Sequence, residues 1–170
     1  MRFLNRVFRV LDRIVDGGGL VGGMFILLLV AIILWEVIVR YLLGQGTTWA
    51  VEISEYILLY FPFLVAAFVL KQEGHVRLDV ILGRLKPKTQ YLVNLISSIV
   101  IVIVCMFIMW FGVKVTLRLF ENGDTTATAL MVPKFILVAV IPFGAFLLVI
   151  QSIRRAYNYW CRFQESATGG

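Results

Sequence analysis

The stretch from Leu20 to Leu43 reads LVGGMFILLLVAIILWEVIVRYLL, and its only charged residues are Glu36 and Arg40. A helix that crosses a hydrocarbon core of roughly 30 Å needs about 20 apolar residues, and this run is long enough. It is too long for the apolar part of a secretory signal, and no small-residue cleavage site follows it. The stretch therefore predicts a transmembrane helix that is retained as the first span.

Three later stretches have a similar length and apolar character, namely Ala50 to Leu70, Tyr91 to Val113 and Met131 to Ile150. Pro62 and Pro142 lie inside two of them, where each removes a backbone donor and is expected to kink its helix. Overall, 61% of the residues are hydrophobic and 15% are charged, which is more apolar surface than a soluble domain of this size covers. We predict an all-α membrane protein with four transmembrane helices, forming a single transmembrane domain over residues 1–170.

The basic residues are distributed unevenly along the chain. Twelve of the sixteen lie before the first span, in the 71–90 connection or in the 151–170 tail. Because cytoplasmic segments carry an excess of Lys and Arg, we predict that both termini are cytoplasmic, and the even number of spans agrees. The net charge of +6 is spread between apolar runs and not gathered on a soluble face, so nucleic acid is not an expected partner.

Two basic segments beside the spans have amphipathic spacing. Apolar and basic residues fall on opposite helix faces in residues 1–16, and the same pattern recurs in residues 77–86, before Pro87. We expect short amphipathic helices on the inner leaflet of the membrane, with Gly17-Gly18-Gly19 as the hinge into the first span. The alternative is that both segments are only basic flanks that fix the topology.

Charged side chains inside spans are rare and usually face protein or water, so Glu36, Arg40, Glu52 and Glu55 are informative. Glu36 and Arg40 have the i,i+4 spacing of a pair on one helix face. Trp49 is expected at the outer aromatic belt, with Glu55 about 9 Å deeper. The short connection between the first two spans is expected to bring Glu52 beside Arg40, whose charge would compensate it.

Two interpretations of these charges stay open. One is a relay for protons or cations. The other is a structural network that ties the first two spans to each other or to a partner protein. We favour the network, because no lone carboxylate lies at mid-membrane, where relays tend to be.

His75 is the only histidine of the chain. A bis-histidine haem within the chain is therefore excluded, and a zinc site lacks ligands. His75 stands in the stretch GHVRLD (74–79), where it more simply turns the chain or caps a helix beside Asp79. The motifs of P-loops, serine hydrolases, zinc proteases and Cys-x-x-Cys sites are also missing from the sequence. We expect no catalytic residue, no metal, no cofactor and no enzymatic activity.

Three spaced motifs of charged and aromatic residues follow one another along the chain, namely Glu36-x-x-x-Arg40, Trp49-x-x-Glu52 and Lys71-x-x-Gly74-His75-Val76-x-x-Asp79. Together they resemble the signature of a known family, the small membrane subunit of tripartite ATP-independent periplasmic (TRAP) transporters. Weaker matches follow in Leu130-x-x-Pro133 and Ile141-Pro142-x-Gly144. Chain length, number of spans and predicted orientation are also similar to this family.

The resemblance implies a three-part uptake system in a bacterial inner membrane. A periplasmic substrate-binding protein captures an organic anion, and a large permease subunit moves it with the sodium gradient by an elevator-type motion. The small subunit braces the large one in a heterodimer. The motif residues would then be architectural or partner-facing, and we expect the same of the neighbouring Glu55.

Another class of function is a self-sufficient small exporter that works as a homodimer. In such a protein a membrane carboxylate such as Glu36 would exchange protons for substrate. Dual-topology exporters of this kind need a weak charge bias, whereas the bias here is strong. An intramembrane enzyme is a third possibility, but the chain has no recognisable catalytic constellation.

Reporter fusions test the predicted topology. We expect a fusion at Gly170 to be active only with a reporter that works in the cytoplasm, and a fusion at Gly123 only with one that works outside it. The measurement is the activity of both reporters at both positions. The opposite pattern would contradict the topology, and with it the argument against the exporter.

Overall fold

The computed structural model describes residues 2–72 and 87–168. His75, Asp79 and the second predicted amphipathic segment (77–86) lie outside the described residues. The described chain forms four long helices, which are α1 (Arg2–Leu43), α2 (Thr48–Gln72), α3 (Pro87–Asn122) and α4 (Lys134–Thr168). Each is long and apolar enough to cross a membrane. The prediction of an all-helical protein with four candidate spans is confirmed.

The helix ends follow local backbone rules. After α1 ends at Leu43, Gly44 has a φ of +69°, and its N–H donates to the carbonyl of Arg40 at 3.1 Å. This left-handed cap suits glycine, which has no Cβ to oppose a positive φ. In the connection from α3 to α4, the helix α4 begins only at Lys134, three residues later than the predicted start at Met131. Pro133 directly precedes it, a position near the helix start that proline favours.

The glycines near residue 18 let α1 pack closely against α2. α1 is helical without a break through Gly17, Gly18 and Gly19, so the predicted hinge is wrong. A Cβ on Gly18 would lie 2.8 Å from the backbone oxygen of Leu64, and one on Gly22 would clash with a methyl of Val65. Small residues allow such close approach between membrane helices. An interfacial position for residues 1–16 stays a prediction.

The helices pack in the spatial order α1, α2, α4, α3, with the main contacts between neighbours in this order. Close approaches recur along it: Gly144 of α4 faces Phe63 of α2, and Gly112 of α3 faces Pro142 of α4. α1 and α3 therefore lie at the two edges, where large apolar side chains such as Phe107 stay exposed.

A buried cluster joins three helices at the end of the bundle that contains the start of α1. Its members are Val15 of α1, Ala67 of α2 and Leu147 of α4. Each residue comes from a different helix, so their packing holds the three helices together at this point.

Ion pairs surround this cluster on the predicted cytoplasmic side. Lys71 of α2 lies 2.6 Å from a carboxylate oxygen of Asp16, and Arg154 of α4 lies 2.6 Å from one of Asp12. Both aspartates belong to α1, so α1 is tied to α2 and to α4 at the same end.

Candidate functional site

Glu36 is the centre of the charged group at the other end of α1. Its carboxylate accepts a hydrogen bond from Nη2 of Arg40 at 2.9 Å, as the i,i+4 spacing predicts. The backbone N–H of Thr47 donates to both oxygens, at 3.2 and 3.0 Å, and the hydroxyl of Thr47 donates to one of them. The side chain of Glu36 is only 12% exposed, whereas that of Arg40 is 63% exposed. Glu36 therefore joins α1 to the start of α2.

Sequence reasoning missed Thr47, although a signal was present. Thr47 directly precedes α2, the N-cap position at which Ser and Thr commonly hydrogen-bond through their side chains. Here the hydroxyl bonds to Glu36 instead. Gly46 leaves the space for this arrangement, because a Cβ on it would lie 2.7 Å from Oε1 of Glu36.

Glu52 does not lie beside Arg40, so the predicted contact between them is wrong. Its side chain is buried, at 6% relative exposure, and its carboxylate accepts hydrogen bonds from the backbone N–H groups of Ala129 and Leu130 at 2.8 and 3.2 Å. The physical reason is that Glu52 lies on the face of α2 that meets this loop, where its buried carboxylate needs hydrogen-bond donors and the two backbone N–H groups supply them. Glu52 thus ties α2 to the connection between α3 and α4.

The connection between α3 and α4 is held in a compact shape. The N–H of Thr126 donates to the carbonyl of Val132 at 2.9 Å, and Thr125 forms an isolated antiparallel bridge with Pro133. Met131 has a φ of +47°, an uncommon value for a residue with a side chain. The two amides that Glu52 accepts from lie just before this strained residue, so Glu52 supports the turn.

A groove of about 660 Å³ separates the C-terminal part of α1 from the N-terminal part of α2. Its lining residues are Ile33, Glu36, Val37, Arg40, Tyr41, Ala50, Val51, Ser54, Glu55 and Leu58. Trp49, predicted for the aromatic belt, is 40% exposed beside it. Glu55 is exposed, and among the described residues it has neither an ion-pair partner nor a hydrogen-bond partner.

The chemistry open to this site is charge compensation. Among residues 2–72 and 87–168, no group of three His, Cys, Asp or Glu residues is placed to hold a metal ion. The carboxylate oxygens of Glu36 are occupied by donors from Arg40 of the same helix and from Thr47, and those of Glu52 by donors from the connection between α3 and α4. The structure brings Glu36 together with Arg40 and places Glu55 on the same groove, whereas Glu52 lies apart from them.

The family model for "Tripartite ATP-independent periplasmic transporters, DctQ component" matches residues 29–162, which include parts of all four helices. The chain belongs to the DctQ family. The resemblance to the small TRAP transporter subunit is thereby confirmed. No curated protein matches the sequence significantly. DctQ is a family of transporter components and not of enzymes, so this DctQ chain is a multi-pass membrane component of a transporter.

Variants around Glu36 test what stabilises the α1–α2 turn. Thr47→Val removes one donor to a poorly exposed carboxylate and is expected to cost about 1–2 kcal/mol. Arg40→Ala is expected to cost about 1 kcal/mol, because the guanidinium is largely exposed and Thr47 still compensates Glu36. Arg40→Lys is expected to fall between Arg40→Ala and the native protein. The measurement is thermal unfolding of the purified chain.

Arg118→Ala is the matched control for the arginine variants. Arg118 is an exposed arginine near the end of α3 that makes no ion pair among the described residues, so its removal is expected to change stability by less than about 0.5 kcal/mol. Equal effects of Arg40→Ala and Arg118→Ala would contradict a stabilising role for the Glu36–Arg40 pair.

Proposed function

We propose that this DctQ chain is the small integral-membrane subunit that braces the large permease subunit of a TRAP transporter in the bacterial inner membrane. In this function a periplasmic substrate-binding protein delivers an organic anion, and the large subunit takes it up with sodium. Residues 1–170 act as one transmembrane domain with both termini in the cytoplasm. Membership of the DctQ family supports the proposal.

The observation that carries the bracing role is the charge-free middle of every span. Residues 17–35, 56–70, 89–113 and 135–153 contain no Asp, Glu, Lys, Arg or His. Proton and ion pathways in membrane proteins are marked by ionisable residues inside the membrane. A chain without ionisable residues in the middle of its spans is suited to supporting a transport pathway that lies in another subunit.

The packing of the helices supports the same role. Because α1 and α3 lie at the edges of the row, the chain presents extended apolar surfaces that lipid or a partner subunit can cover. Polar ties hold the helices at both ends, through Glu36 and Glu52 at one end and through Asp12 and Asp16 at the other. Such ties favour a stiff unit that keeps its shape while a partner moves.

Copurification and transport assays test this function. A tagged form of this chain is expected to copurify with the large permease subunit at a ratio of 1:1, measured by native mass spectrometry. In liposomes, uptake of an organic anion down a sodium gradient is expected only when this chain, the large subunit and the binding protein are all present. Substrate pumping by this chain alone, as a homodimer, would contradict the proposal and favour the exporter.

A further inference from the structure

Glu55 differs from the other two carboxylates near the α1–α2 turn. Glu36 has Arg40 and Thr47 as donors, and Glu52 has two loop amides. Glu55 lies on the groove wall, is exposed, and has no compensating group among the described residues. The fold therefore compensates two of these three carboxylates internally and leaves one without a partner.

The depth of Glu55 makes this lack of a partner costly. α2 has 25 residues and is about 37 Å long at 1.5 Å per residue, so a centred helix extends about 4 Å beyond each side of a 30 Å core. Glu55 lies about 10 Å from the helix start and thus about 7 Å inside the hydrocarbon. A lipid headgroup does not reach that depth. A carboxylate there is expected to face protein that supplies a positive or hydrogen-donating group.

The shape of the groove fits a helix. On α1 the lining residues Ile33, Val37 and Tyr41 recur every four residues, and on α2 Val51 and Leu58 are two turns apart. Each set forms one stripe along its helix, and the two stripes are the walls of the groove. A third helix that lies between them would bury apolar side chains along its length and meet Glu55 on one side.

We propose that the groove between α1 and α2 binds a transmembrane helix of the large permease subunit, and that this helix places a basic side chain against Glu55. The inference rests on the proposed function, because it assigns the face through which the small subunit contacts the large one. The unpartnered carboxylate of Glu55 sets the chemistry of the occupant, which has to offer a basic side chain at that depth. The exposed guanidinium of Arg40 at the mouth of the groove offers a second contact, to an acceptor on the same helix.

A second copy of this chain is the main competing occupant, because α3 carries the basic residue Lys114 toward its C-terminal end. Lys114 already lies over the ring of Trp110, 5.2 Å from its centroid. Docking α3 of one copy into the groove of the next is also a heterologous contact that does not close in a dimer, so it would build chains of copies in the membrane. These two arguments favour the large subunit.

Photo-crosslinking tests the occupant in the assembled transporter. A photoreactive phenylalanine analogue replaces Val51 in the groove or, as the matched control, Val104, a similarly exposed valine of α3. We expect position 51 to crosslink to one helix of the large subunit and position 104 not to crosslink to that helix. Crosslinks from position 51 to a second copy of this chain, or only to phospholipid, would overturn the proposal.

Substitutions at Glu55 test the predicted charge pair independently. E55Q is expected to reduce the large subunit retained after detergent washing by about tenfold or more, since neutralising one member of a buried charge pair leaves the other charge without compensation and weakens association strongly. E121Q is the matched control, because Glu121 is an exposed glutamate at the end of α3, and it is expected to have no effect. E55R is expected to prevent assembly, and an acidic residue in place of a basic one on the crosslinked helix is expected to restore it. Equal retention in E55Q and E121Q would overturn the proposal.

The outcomes separate this inference from the proposed function. If the native complex copurifies but position 104 and not position 51 crosslinks to the large subunit, the docking face is wrong and the bracing role stands. If the native chain does not copurify with the large subunit at all, both fail. The unfolding temperature of the isolated E55Q chain is expected to equal that of the native chain. That result would separate a loss of association from a loss of folding.

Discussion

Lipid offers no hydrogen bonds, so each charge and each backbone amide near the membrane core needs a partner supplied by the protein. The two connections at the predicted outer end depend on this constraint. Glu36 accepts hydrogen bonds from Arg40 and Thr47 and thereby fixes the connection between α1 and α2. Glu52 accepts hydrogen bonds from the backbone N–H groups of Ala129 and Leu130 and thereby holds the connection before α4 against α2.

Between these polar ends, close packing holds the helices together. Apolar burial gives little drive for association when lipid tails are equally apolar, so small residues that let backbones approach become important. α2 contacts both α1 and α4, and each neighbour supplies glycine at the contact, Gly18 and Gly22 from α1 and Gly144 from α4. The bulkier side chains of α2, among them Phe63 and Val65, fill the space that these glycines leave. The resulting row has two apolar edges, which suits a subunit that works against a larger partner.

Local and periodic features were predictable from the sequence, and distant contacts were not. Run length alone indicated four spans, and the i,i+4 spacing indicated the pair of Glu36 and Arg40. The partner of Glu52 was predicted wrongly, because it comes from a loop more than seventy residues away that no local pattern reveals. The role of Gly18 was also mistaken, because a glycine in a helix acts as a hinge or as a contact according to what packs opposite it.

Residue-resolved hydrogen exchange in lipid nanodiscs tests most directly whether the carboxylates of Glu36 and Glu52 hold these connections in place. In the native chain we expect slow exchange at the amides of Thr47, Ala129 and Leu130. Glu52→Ala is expected to speed exchange at Ala129 and Leu130 by roughly ten- to a hundredfold and to leave Thr47 unchanged. Glu36→Ala is expected to do the reverse. Unchanged exchange at Ala129 and Leu130 in Glu52→Ala would contradict the account.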